Sequence, residues 1–134
     1  MPTEIEVRNL SGQAVDTEAL VETARQVLDT EGAELDSLSL ALVDDERIGA
    51  LNRRLLGREG PTDVIAFEAE EAEGEVIVSV DTAARQADEW GHSLHEELRF
   101  LVAHGVLHVC GWDDTDPADR QRMIERQHET LGDS

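Results

Sequence analysis

The chain has 134 residues and a mass of 14.8 kDa, one domain's worth, with 40% hydrophobic and 31% charged residues, which excludes collagen-like, mucin-like and disulfide-scaffold classes. Its 31 acidic residues face 11 basic ones, all arginine, for a net charge of −20 and a pI near 4.3, which argues against indiscriminate binding to nucleic acid or to an anionic membrane. No apolar run approaches the roughly 18 residues of a membrane span, the acidic N-terminus lacks the regions of a secretory signal, and a lone Cys110 excludes an internal disulfide and suits a reducing cytoplasm.

In chain order, residues 3–7 alternate apolar and polar, as a half-buried strand does. Asp16 reads as the N-cap of a helix carrying Leu20, Val21, Ala24, Val27 and Leu28 and ending near Glu31 and Gly32. Residues 38–43 read as a strand. Asp44 and Asp45 can cap a helix with Ile48, Leu51 and Leu55 on one side, stopping at Gly57. A short strand follows over 63–67, then an acidic stretch over 68–75 that reads as a solvated hairpin or loop, then a strand over 75–80. Asp81 and Thr82 read as the cap of a helix reaching Trp90. Ser93 opens the most apolar helix, with Leu94, Leu98, Leu101, Val102 and Val106, which stops at Gly111. Pro117 suits the first turn of a last helix reaching about Leu131. Helices interspersed with about four strands, without repeat or linker, predict a single α+β domain over residues 1–134, a mixed sheet with the apolar helix lying against it.

The chemistry concentrates at residues 104–114. His104 and His108 stand four apart on a predicted helix. Four steps of about 100° return nearly to the same face, so both imidazoles can reach one metal ion. Alone, such a pair is often ordinary helix surface. Here Gly111 follows to permit a reversal, and Asp114 stands ten residues after His104, where it can return as a third ligand. This H-x-x-x-H-x-x-G-x-x-D spacing makes a zincin-like metal helix with Asp in the last place. Peptidases of the H-E-x-x-H type carry their general base directly after the first His. That position is Gly105, so the arrangement lacks peptidase machinery. Cys110, His128, His92, His95 and Met123 read as packing or solvated residues, not site residues.

The run resembles the YbeY rRNA maturation factor family, whose pattern is H-G-x-L-H-x-x-G-Y-D-H. Two further blocks agree: Pro61-Thr62-Asp63-Val64-Ile65-Ala66-Phe67 with the family's P-T-D-V-L-S-F, and Gly74-Glu75-Val76-Ile77-Val78-Ser79 with its G-D-I-x-I-S. The similarity covers residue 35 to the C-terminus. It implies a zinc-dependent single-strand endoribonuclease in the cytoplasm, with ribosomal RNA and the small ribosomal subunit as partners and roles in 3′-end maturation and ribosome quality control. His104 and His108 match the first two metal ligands, and Asp113 matches a non-ligand Asp suited to orienting its neighbours. The third family His falls on Asp114. Two neutral imidazoles and one carboxylate would leave a divalent ion near +1, where three imidazoles leave +2, and an oxygen ligand relaxes metal choice. The family's Tyr-Arg falls on Leu55 and Leu56, so its arginine is absent. Arg53, Arg54 and Arg58 stand close by and can substitute as RNA contacts; with Arg47 they put four of the 11 arginines within residues 47–58. A non-catalytic ribosome assembly factor with a structural metal is the rival reading. The acidic charge itself suits a salt-rich cytoplasm, where screening is strong.

Overall fold

The structure, a computed structural model, describes residues 2–112 and 116–131. Strands β1 (Glu4–Asn9), β2 (Ser37–Val43), β3 (Val64–Glu70) and β4 (Glu73–Ser79) form one mixed sheet in the order β1-β2-β4-β3. β1 pairs with β2 and β2 with β4 in parallel, and β3 closes one edge antiparallel to β4. The helices are α1 (Thr17–Glu31), α2 (Asp45–Leu56), α3 (Val80–Trp90), α4 (Leu94–Val109) and α5 (Pro117–Leu131). None of the described helices is long and apolar enough to cross a membrane.

Side-chain alternation divides these helices between the two faces of the sheet. Leu38, Leu40 and Leu42 of β2 point with Val76 and Val78 of β4 into the main core, which α1 fills with Leu20, Ala24, Val27 and Leu28, and α4 with Leu98, Leu101, Val102, Val106 and Leu107. Val43, Ile65 and Ile77 point the other way and meet Ile48 of α2 in a second cluster. α5 packs on the outside of α4 and α1. Thus α4 is backed by the sheet on one side and flanked by α1, α3 and α5.

Local signals explain most boundaries. Asp16 accepts from the Ala19 N–H at the start of α1, and Asp44 accepts from the Arg47 N–H at the start of α2. Ser93 and Glu96 form a reciprocal capping box at α4. The acidic stretch is the expected hairpin, with strands longer than expected: β3 runs to Glu70 and β4 begins at Glu73, leaving Glu71 and Ala72 as the turn. β3 is an edge strand, so its acidic side chains stay in water while its backbone keeps pairing. The cap of α3 is Ser79, not Asp81 or Thr82. Those two side chains tie α3 to α2 instead. Asp81 accepts from the Asp45 N–H at 3.0 Å, while the Thr82 and Ser79 hydroxyls donate to the Asp45 carboxylate at 2.6 and 2.7 Å. Burial would raise the Asp45 carboxyl, but the Arg85 guanidinium and the Thr82 and Ser79 hydroxyls outweigh it and hold the group below its ordinary value.

Candidate metal centre

Two glycines seat α4 on the sheet. A Cβ on Gly105 would lie 2.6 Å from Val76 Cγ1 and 3.2 Å from Val64 Cγ2, and one on Gly74 would lie 2.6 Å from Val109 Cγ1. These are contacts no side chain can make without the neighbour moving. Gly105 therefore has a packing reason of its own: the site that holds a catalytic Glu in H-E-x-x-H proteins faces the sheet here and has no room for one.

With Gly105 turned inward, His104 and His108 lie half-buried on another side of the helix. Their ring centroids are 4.8 Å apart and their planes cross at 77°. The predicted pair is thus brought together, and two imidazoles so close on one face suit a single divalent ion. His104 Nδ1 lies 3.2 Å from Gln127 Oε1, and the Gln127 amide nitrogen donates to the Phe100 carbonyl at 3.3 Å. His128 is exposed, its ring centroid 5.8 Å from that of Phe100.

α4 ends in a Schellman turn. Cys110 is the C-cap, the Gly111 N–H donates to His108 O, and the Trp112 N–H donates to Leu107 O. Gly111 has φ +103°, which a side chain tolerates poorly, so the predicted reversal is real and requires glycine. Burial pushes the Cys110 thiol up to about 11, and the Glu31 carboxylate adds to the shift, so near neutral pH it stands as a thiol packed at the rim of the core. Asp113 and Asp114, the predicted orienter and third ligand, lie outside the described residues. Among the described residues no set of three His, Cys, Asp or Glu side chains is placed to hold an ion, as expected when the third predicted ligand is not among them.

Glu31, the last residue of α1, braces this end of α4. Its Oε1 accepts from the Trp112 indole N–H at 2.6 Å, and its Oε2 from Arg126 Nε at 2.6 Å. One carboxylate thereby joins α1, the turn after α4, and α5. Glu31→Ala would strand an indole N–H and leave the Arg126 guanidinium with Glu129 alone, and hydrogen bonds to charged groups contribute about 1.5–3 kcal/mol each. Arg126 is partly exposed and recovers water, so we expect a net loss of about 2 kcal/mol. Chemical denaturation followed by Trp112 fluorescence, in a Trp90→Phe background, measures it; an unshifted midpoint would show that the brace carries no stability.

Arg53, Arg54 and Arg58 are exposed at the C-terminal end of α2 and just beyond it. α2 buries Ile48 against the sheet face opposite the one that α4 covers. The loop that carries Arg58 is tied down by Asn52, whose amide donates to Gly60 O at 2.9 Å. Sequence reasoning passes over Gln127 and Glu31. Gln127 had a detectable signal: it shares a buried stripe of α5 with Met123 and Thr130, at helical spacings of four and three. Glu31 had none, because its partners lie far away in sequence.

Fold and site together define a small α+β protein that presents a histidine pair on a sheet-backed helix. The sequence model for endoribonuclease YbeY matches residues 5–134. A Pelotomaculum thermopropionicum protein named endoribonuclease YbeY is 39% identical, with 94% of this chain and 93% of that protein covered. A Salinispora tropica protein of the same name is 37% identical, over 95% of this chain and 93% of that one. The solution structure of TM1509 from Thermotoga maritima superposes with a TM-score of 0.67 at 27% identity, covering 94% of this chain and 87% of that one. The chain belongs to the YbeY endoribonuclease family.

Proposed function

We propose that this protein is a metal-dependent endoribonuclease that cuts single-stranded RNA, acting in the cytoplasm on small-subunit ribosomal RNA in 3′-end maturation and ribosome quality control. The observation that carries the reading is the His104/His108 pair, with rings 4.8 Å apart on one helix, in a chain of this family. In the reading, His104, His108 and Asp114 hold one zinc ion in a zincin-like arrangement with an open position, and Asp113 orients its neighbours. A bound divalent ion supplies Lewis-acid chemistry there, lowering the pKa of water and polarising a phosphoryl oxygen. The chain's own part is to fix the donors on a rigid helix and to hold the RNA. No residue is assigned as general base. The test is cleavage of an end-labelled single-stranded RNA by protein stripped with a chelator and then reloaded. Cleavage should appear only on reloading; equal cleavage by the stripped protein would remove the metal from the reaction.

Arg53, Arg54 and Arg58 supply the phosphate contacts in this reading. In a chain of net charge −20 few other cations can compensate. Each phosphate contact to a single strand contributes about 0.7 to the slope of log K against log salt. Arg53→Ala with Arg54→Ala should therefore weaken RNA binding and flatten that slope by about 1.4. Unchanged affinity and slope would return the two arginines to the role of a solvated helix face.

A further inference from the structure

Gln127 is a fully buried polar side chain on α5, and its two ends face different partners. Oε1 lies 3.2 Å from His104 Nδ1, and Nε2 lies 3.3 Å from the Phe100 carbonyl oxygen. The chemistry of the groups fixes every hydrogen in this chain of contacts. A backbone carbonyl only accepts, so the amide nitrogen must face Phe100 and the amide oxygen must face His104. An amide oxygen also only accepts, so His104 Nδ1 must carry the hydrogen and donate it. The reverse orientation would set the amide oxygen against the Phe100 carbonyl oxygen, two acceptors facing each other in a buried place. The neutral His104 ring consequently has its lone pair on Nε2.

We infer that Gln127 is a positioning residue for the metal centre, holding His104 in the Nδ1–H form with its ring plane fixed so that Nε2 is the atom offered to the ion. The inference rests on the metal reading of His104 given above. Metal-binding histidines usually donate their second N–H to a carboxylate, a backbone carbonyl or water, and that partner sets both tautomer and ring orientation. A neutral amide in this place has a consequence for charge. If Asp114 is a ligand, the donor set already brings one negative charge to the ion, and a carboxylate behind His104 would bring another. An amide oxygen orients the ring without lowering the local positive charge further, which preserves the ion's pull on bound water. Gln127 also anchors its own amide on Phe100, one turn before His104 on the same helix, so the ring, its partner and the helix backbone move as one unit.

The tautomer is read directly by nitrogen-15 NMR of the metal-free protein, correlating the His104 ring nitrogens with the ring's carbon-bound protons. The expected result is the Nδ1–H form; an Nε2–H form would overturn the inference whatever the variants do. Gln127→Met keeps the length and removes the acceptor. It should lose about 10–100-fold in zinc affinity, measured by chelator competition, and should show mixed tautomers. Gln127→Glu keeps an acceptor towards His104 and should restore affinity, at a cost in stability because its second oxygen then meets the Phe100 carbonyl, whereas a merely structural role would move stability in both variants and leave affinity alone. Wild-type affinity in Gln127→Met, or a loss in Gln127→Glu as large as in Gln127→Met, would overturn the positioning role. The failure of the underlying reading looks different: His104→Ala would then bind zinc as tightly as wild type.

Discussion

Replacing His108 with alanine should remove stoichiometric zinc and about a thousandfold or more of RNA cleavage while leaving the fold standing. The two effects separate because α4 is held by other residues. Leu98, Leu101, Val102, Val106 and Leu107 are all buried, whereas His108 is only half-buried at the edge of the core. Alanine also favours helix more than histidine does, so the backbone gains slightly. The loss in rate follows from the chemistry assigned to the ion. Lewis-acid stabilisation of charge in the transition state contributes several kcal/mol, and each 1.36 kcal/mol is about tenfold in rate, so roughly three decades are at stake. Metal content after dialysis, the thermal melt and the cleavage rate measure the three quantities. Full zinc occupancy in His108→Ala would remove this residue from the centre.

Gly105→Glu should be the most destabilising single change on α4, at about 4 kcal/mol or more, and should create no peptidase. The position sits where a Cβ would lie 2.6 Å from Val76 Cγ1, and Gly105 is itself buried. A glutamate there combines overpacking with a buried, unpaired carboxylate, two of the mechanisms behind the largest point-mutant losses. The smaller change separates the causes. Gly105→Ala adds only the clash, about 1–3 kcal/mol, against about 1 kcal/mol of better helix propensity. Val76→Ala should relieve that clash, so the Gly105→Ala/Val76→Ala double variant should be more stable than the two separate losses imply. Strict additivity, seen in urea denaturation, would mean that the Gly105–Val76 contact does not decide this position.

How far the sequence foretold this molecule depends on the range of the forces involved. The ends of α1, α2 and α4 were legible because caps act within three or four residues: Asp16, Asp44, Ser93 and Gly111 each carry their signal locally. The His104/His108 pair was legible for the same reason, since both residues sit on one helix. The start of α3 was misplaced because Asp81 and Thr82 are good capping residues by type, yet here they satisfy Asp45 across the junction with α2. The hairpin in the acidic stretch was legible, but the extension of β3 to Glu70 was hidden by acidic composition, which describes the exposed side of an edge strand as well as a loop. Gly105 was read through the base it lacks. Its reason for being glycine is Val76 on another strand, which no local pattern reveals. The reach of Gln127 to His104 likewise depends on contacts made only once the chain has folded.

The central claim is that His104, His108 and Asp114 hold a zinc ion with one position open to solvent or substrate. X-ray absorption at the zinc edge of the stoichiometrically loaded protein tests it most directly, because it counts and types the donors around the ion. Two imidazole nitrogens and light oxygen donors, with no sulfur, are the expected donors in the wild-type protein. A sulfur donor, which would bring Cys110 into the centre, or fewer than two imidazole nitrogens would contradict it.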